Sequence, residues 1–331
     1  MVEIRVVDPH DETSLHRWWE IGRDALRDRP LDTTPAWEVT RVALPTPHPD
    51  FAWTVLGAYD GDQMVGAGLI NLPQSDNTHL AYVDVYVAEP TRRAGVGSAL
   101  LADVERRARE AGRATAMVEV FAPPGGSSPG SLFADARGYT VANLETIKAV
   151  DLAAAEPSWA ALEDEAAGRL ADYRVLRWRD TVPDEYAEGF CAMLSRFIGM
   201  VPLGDLTLED GEWTVDRLRG SERRAAEIGQ DSFIAAGVAP DGTLVGCSDV
   251  RVMRGDPRIG RIGITMVEPD HRGHRVGLAM KLATHRELHA AYPQTELVET
   301  SNADVNQRMN DVNEALGYRA LEQLLEYHKR L

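Results

Sequence analysis

The chain has 331 residues, 44% of them hydrophobic, enough for two domains that each bury a core. Its 52 acidic against 35 basic residues leave a formal charge of −17, which disfavours nucleic-acid and membrane partners and suits cationic ones such as amines. No apolar run is long enough to cross a membrane, Met1-Val2-Glu3-Ile4-Arg5 lacks a secretion-signal pattern, and Cys191 and Cys247 offer neither a disulfide framework nor a zinc site, so a cytoplasmic chain without a metal is expected.

In chain order, the turn Asp60-Gly61 before an apolar run predicts a hairpin, and residues 83–87 predict a strand. A glycine-rich turn follows, then apolar residues at Leu100, Leu101, Val104, Ala108 and Ala111 in helical spacing, stopped by Gly112. Met117-Val118-Glu119 and residues 141–152 are strand-like. Residues 153–171, rich in Ala, Glu and Asp, predict a linker helix. The series then repeats about 180 residues on: Asp241-Gly242 matches Asp60-Gly61, and Thr265-Met266-Val267 matches Val85-Tyr86-Val87. Each latter triplet precedes an arginine by five residues, and the 27-residue step from Arg92 to Glu119 recurs from Arg272 to Glu299. Leu278, Ala279, Leu282 and Leu288 lie on one helical face ending before Pro293, and Leu316-Gly317-Tyr318 matches Arg137-Gly138-Tyr139. Ordered agreement of this kind predicts duplication of a whole domain, over 1–152 and 172–331, each an α/β (α+β) unit with helices packed on a mixed sheet.

The turn Arg92-Arg93-Ala94-Gly95-Val96-Gly97-Ser98 lies between a strand and a helix, where free backbone N–H groups hold anions. Its glycines allow close approach to a pyrophosphate, and its arginines add positive charge to an acidic chain. The second half has Arg272-Gly273-His274-Arg275-Val276-Gly277, with Arg275 where the first has Gly95.

Arg92-x-x-Gly95-x-Gly97 after its strand resembles the acyl-CoA-binding motif of the GCN5-related N-acetyltransferase (GNAT) superfamily, and the second half is similar. The resemblance implies two tandem GNAT folds that bind acetyl-CoA, a layout similar to that of mycothiol synthase. It implies a pantetheine arm lying along Val85 and Val87, and along Thr265 and Val267, and direct attack by a primary amine of a small molecule. Glu119, Glu299 and Asp84 are candidate bases. The tyrosine this superfamily often uses as an acid is replaced by Phe133 and Asn313, the latter kept as a catalytic candidate. Asn302 and Asn306 resemble the asparagines of an acyl-binding loop, and as simple helix caps they fit equally. The first half has a Pro/Gly/Ser loop there, so chemistry is expected in the second half.

His285 and His289, four residues apart with no third ligand, are expected on a helix surface rather than at a metal. The alternative to an enzyme is a non-catalytic acyl-CoA sensor. A monomer and a homodimer both fit.

Overall fold

A computed structural model describes residues 2–331. The first half runs β1 (Glu3–Val6), α1 (Glu12–Leu26), α2 (Trp37–Ala43), β2 (Phe51–Asp60), β3 (Gln63–Pro73), β4 (Leu80–Val87), α3 (Val96–Glu110), β5 (Thr115–Ala122), α4 (Pro129–Ala136) and β6 (Thr140–Asp151). The second runs α5 (Leu152–Leu170), β7 (Arg174–Arg179), α6 (Asp184–Leu194), α7 (Val215–Glu227), β8 (Gln230–Val238), β9 (Leu244–Met253), β10 (Asp256–Val267), α8 (Val276–Ala291), β11 (Leu297–Ala303), α9 (Gln307–Ala315) and β12 (Arg319–Arg330). Two like halves of mixed α/β architecture were expected, and two are present.

The compact units are not the sequence halves. Unit 1 comprises Met1–Leu144, Leu203–Glu209 and Glu322–Leu331, and unit 2 comprises Glu145–Pro202 and Asp210–Leu321. The expected division at residues 152 and 172 therefore gives way to an exchange of final strands. β12 pairs antiparallel with β5, Gln323 opposite Ala122 through Arg330 opposite Thr115. The end of β6 pairs antiparallel with β11, Leu297 opposite Asp151 through Ala303 opposite Glu145. Each half closes the sheet of the unit it mostly does not belong to. The helix expected as a linker exists as α5, capped by the Asp151 carboxylate on Ala154 N at 3.0 Å. It contributes Leu152, Ala155 and the fully buried Trp159 to the core of unit 2.

In unit 1 the sheet order is β1-β2-β3-β4-β5-β12. The predicted apolar stripe of α3 is buried on one face, Leu100 and Val104 packing with Leu56, Ile70, Val83 and Ala116. Leu15 and Ile21 of α1 cover the other face with Val55, Met64 and Ala67. In unit 2 the order is β7-β8-β9-β10-β11-β6. There α8 packs Leu278, Leu282 and Leu288 against Val250 and Val298, while α6 and α7 set Phe190, Met193 and Leu218 against Ala236, Cys247 and Met266. Alternating side chains along each strand thus serve two helical layers.

Candidate functional site

Both units open the same gap. In unit 1, β4 and β5 run parallel, pairing at Leu80, Ala81 and Tyr82, and part after Tyr82 opposite Met117. In unit 2, β10 and β11 pair at Ile259, Gly260 and Arg261 and part after Arg261 opposite Glu299. Val85 and Val87, and Thr265 and Val267, lie beyond these last pairs. Among the described residues they have strand partners only on the other side, at β3 and β9. A strand edge inside a folded unit is a place where an extended ligand can add main-chain hydrogen bonds.

Each gap leads to a helix N-terminus. The first i→i−4 bonds are Ala99 N to Gly95 O in α3 and Ala279 N to Arg275 O in α8, so the preceding amides have no intrahelical acceptor. Gly95 has φ +87° and Arg93 φ +66°, while in the second turn Gly273 has φ +92° and Arg275 φ +58°. The two cradles share two left-handed positions with glycine and arginine transposed. The tight turn expected at Gly95 is thus rebuilt around Gly273. Arg92 Nε donates to Val87 O at 3.2 Å and Arg272 Nε to Val267 O at 2.9 Å, tying each turn to the strand before it. Ala94 is exposed, Val96 and Val276 are buried anchors, and Ser98 and Gly277 lie half-buried on the first turns of their helices. His274 stacks on Tyr173, ring centroids 4.8 Å apart, and the guanidinium of Arg275 pairs with Glu165 at 2.5 Å.

The candidate bases differ in setting. Asp84 is half-buried, two residues past the point where β4 and β5 part, on the sheet face it shares with Tyr82 and Tyr86. Burial pushes its carboxyl up to about 6, partly offset by the Tyr86 hydroxyl, which donates to it at 3.5 Å. Glu119 is exposed on β5 opposite Glu326 of β12. Glu299 is held by Arg261 Nε at 2.8 Å, and the second-half counterpart of Asp84 is Ile264, whose N–H donates to Asp249 Oδ1 at 2.9 Å. The register slips between Ile262 and Thr265, a bulge that unit 1 lacks in its matching strand pair.

Asn313, Asn302 and Asn310 form a hydrogen-bonded file, the first two of them buried. Lys281 Nζ donates to Asn313 Oδ1 at 2.6 Å, and Asn313 Nδ2 donates to Asn302 Oδ1 at 3.0 Å. Asn302 Nδ2 donates to Asn310 Oδ1, and Lys148 Nζ donates to both Asn302 and Asn310. Asn302 therefore lies on a strand, bonded to other side chains, and is no helix cap. Asn306 occupies the N-cap of α9, but its side chain makes no capping bond. His285, expected on a surface, is fully buried, its Nε2 2.7 Å from Tyr318 Oη, and burial pulls its imidazole down to about 3.

Sequence reading missed Lys148 and Lys281, and with them the buried ion pair of unit 1. There Glu322 Oε1 lies 2.8 Å from Arg29 Nη2, and the Arg29 guanidinium stacks 3.4 Å above the Phe121 ring, on the face that carries Asp84. Arg29 and Glu322 stand 293 positions apart, and only the strand exchange brings them together. Among the described residues no group of three or more His, Cys, Asp or Glu is placed to hold a metal, and no helix is long and apolar enough to cross a membrane.

Residues 15–125 match the family model described as Acetyltransferase (GNAT) family. No curated protein matches the chain by sequence. A solved structure of a tandem GNAT protein from the clavulanic acid biosynthesis pathway is similar over 100% of this chain and 98% of its own, with 26% identity and a TM-score of 0.83. A GCN5-related N-acetyltransferase from Sphaerobacter thermophilus is similar over 99% of this chain and 95% of its own, at 17% identity and a TM-score of 0.66, a likeness of fold.

Proposed function

From the premise that this chain is a tandem GCN5-related N-acetyltransferase fold, a fold that supports acyl-CoA-dependent N-acyl transfer, we propose a cytoplasmic enzyme moving an acetyl group from acetyl-CoA to a primary amine of a small molecule. The observation that carries the reading is Asp84, a carboxyl at the mouth of a strand gap that leads back to a glycine-bearing helix N-terminus. It moves the favoured place for chemistry from the second half to unit 1.

The residues of unit 1 fit the cosubstrate. A Cβ on Gly95 would meet nothing within 4 Å but would sit at φ +87°, so glycine keeps the turn open to a pyrophosphate beside the exposed Arg93. The edge of β4 at Val85 and Val87, beyond its last pair with β5, suits a pantetheine arm. Acetyl-CoA supplies the thioester carbonyl. Asp84, ionised at neutral pH, takes the proton that the amine sheds as its nitrogen bonds the acyl carbon. Phe133 gives no acid for the departing sulfur. A thiol has an ordinary pKa near 8.5, so its thiolate leaves without one.

A second reading puts transfer in unit 2, favoured by the amides of Asn302 and Asn313. Against it, the Glu299 carboxylate is engaged by Arg261. A unit 2 that binds acyl-CoA without turnover would act as a sensor for unit 1.

The test follows thiol release from acetyl-CoA across a panel of amines, for wild type, Asp84→Asn, Gly97→Trp and Gly277→Trp. A Cβ on Gly97 would lie 3.3 Å from Val87 Cγ2 and 3.5 Å from Phe133 Cζ, so an indole there forces apart the side chains packed beneath the first cradle. Asp84→Asn is expected to lower kcat by about 100-fold or more. The wild-type kcat should rise as pH passes about 6, where the base ionises, and level off above it. Amine-dependent release that survives Gly97→Trp and disappears in Gly277→Trp would move the chemistry to unit 2. Acetyl-CoA binding without turnover on any amine would favour the sensor.

A further inference from the structure

Leu203–Glu209 belong to unit 1 although they come from the connection between α6 and α7. That connection, residues 195–214, holds one short 3₁₀ turn and is otherwise irregular. A segment of this length without regular structure inside a compact protein usually has a function.

The segment is fastened by its main chain. Asp205 N donates to Ala142 O at 2.7 Å, Glu209 N donates to Asn77 Oδ1 at 2.8 Å, and Thr207 O lies 3.0 Å from His79 Nε2. Gly204 has φ +56°, and a Cβ there would stand 2.3 Å from Ala142 O, so the closest approach admits glycine alone. These bonds seat Leu206, 8% exposed, with Leu203 and Leu208 against Leu80, Met117 and Tyr82. Tyr82 is the last β4 residue paired to β5, and Asp84 follows two residues on, on the same face. The leucines therefore wall the acceptor face beside the mouth of the gap.

We infer that residues 203–209 set acceptor specificity, admitting compact amines whose apolar body lies along the half-buried Leu208 and Tyr82, backed by Leu206, with the nitrogen at Asp84, and refusing bulky or peptide amines. The inference rests on the assignment of transfer to unit 1. The three leucines contribute no polar side-chain atom, so their share of the discrimination is by size.

The experiment uses the full chain in a Gly277→Trp background, so that turnover reports unit 1. Leu206→Ala and Leu208→Ala remove wall volume, and Gly204→Val unseats the segment. Thiol release is measured with compact alkyl amines, bulkier aryl amines and a lysine-bearing peptide, with KM for acetyl-CoA measured alongside. The bulky-to-compact ratio of kcat/KM is expected to rise about tenfold in Leu206→Ala, as for loss of a methylene-sized contact or more, while KM for acetyl-CoA holds. A parallel fall for every amine, or an unchanged ratio in folded Leu206→Ala and Leu208→Ala, overturns the wall and leaves the transfer reading intact. No amine-dependent release in the Gly277→Trp background overturns transfer in unit 1, and the wall with it.

Discussion

Lys281 is wholly buried on α8, and its hydrogen-bond partner is the Asn313 amide, with the Tyr318 ring 4.8 Å from its nitrogen. An ammonium only donates, so Lys281 turns the oxygen of Asn313 toward itself, and Lys148 likewise turns the oxygens of Asn302 and Asn310. Two lysines thus fix the direction of three amides. Burial, and then the charge of Lys148, lowers Lys281 to about 7. The unfolded chain holds this proton up to the ordinary lysine range, so between those values the unfolded state binds more protons and stability rises with pH. Chemical denaturation from pH 7 to 9.5 should show a gain of up to about 1.4 kcal/mol per pH unit that is absent from Lys281→Met. Equal pH slopes in the two proteins would mean that Lys281 titrates normally. Asn302 and Asn313 could be picked out by position, but not their partners, because a helical lysine is ordinarily a surface residue and Lys281 is flanked in sequence by the same apolar types that flank exposed ones.

At the scale of the element, the spacing of the turn was legible for a reason now visible. The arginine five residues past the strand reaches back to the carbonyl of Val87 or Val267, and a shorter or longer turn would break that bond. What was not legible is that the bend needs two left-handed residues and is indifferent to which of them is glycine. Arg93 with Gly95 and Gly273 with Arg275 satisfy it equally. A non-glycine residue there costs about 1 kcal/mol. Gly95→Ala should therefore destabilise unit 1 by about that amount. Arg275→Gly should stabilise unit 2 by up to about 1 kcal/mol, reduced by loss of the half-exposed pair with Glu165. Thermal unfolding of the two variants checks the opposite signs, and a shared sign would mean that the bends are not equivalent.

At the scale of the molecule, the duplication was readable from matched landmarks, whereas the exchange of β6 and β12 was not. Both strands end their halves with similar apolar alternation, so each presents an acceptable face to either sheet, and no local pattern selects between its own edge and the other half's. The bonding partners that settle it, such as Arg29 with Glu322, are remote in sequence. Residues 1–171 made alone lack the strand that pairs with β5, and residues 172–331 made alone lack the one that pairs with β11. Each should be poorly soluble by itself, and co-expression should yield a folded complex by circular dichroism and gel filtration. A monomeric, cooperatively folding 1–171 would mean that β12 is dispensable.

The same exchange sets an order of events on the ribosome. Unit 2 has its last residue, Leu321, before the strand that completes unit 1 has emerged. The part of the protein translated first is therefore finished last, and the free edge of β5 must wait through the synthesis of about two hundred residues before its partner arrives. Slowing translation of the codons between β5 and β12 would lengthen the time that this edge is open to a wrong partner.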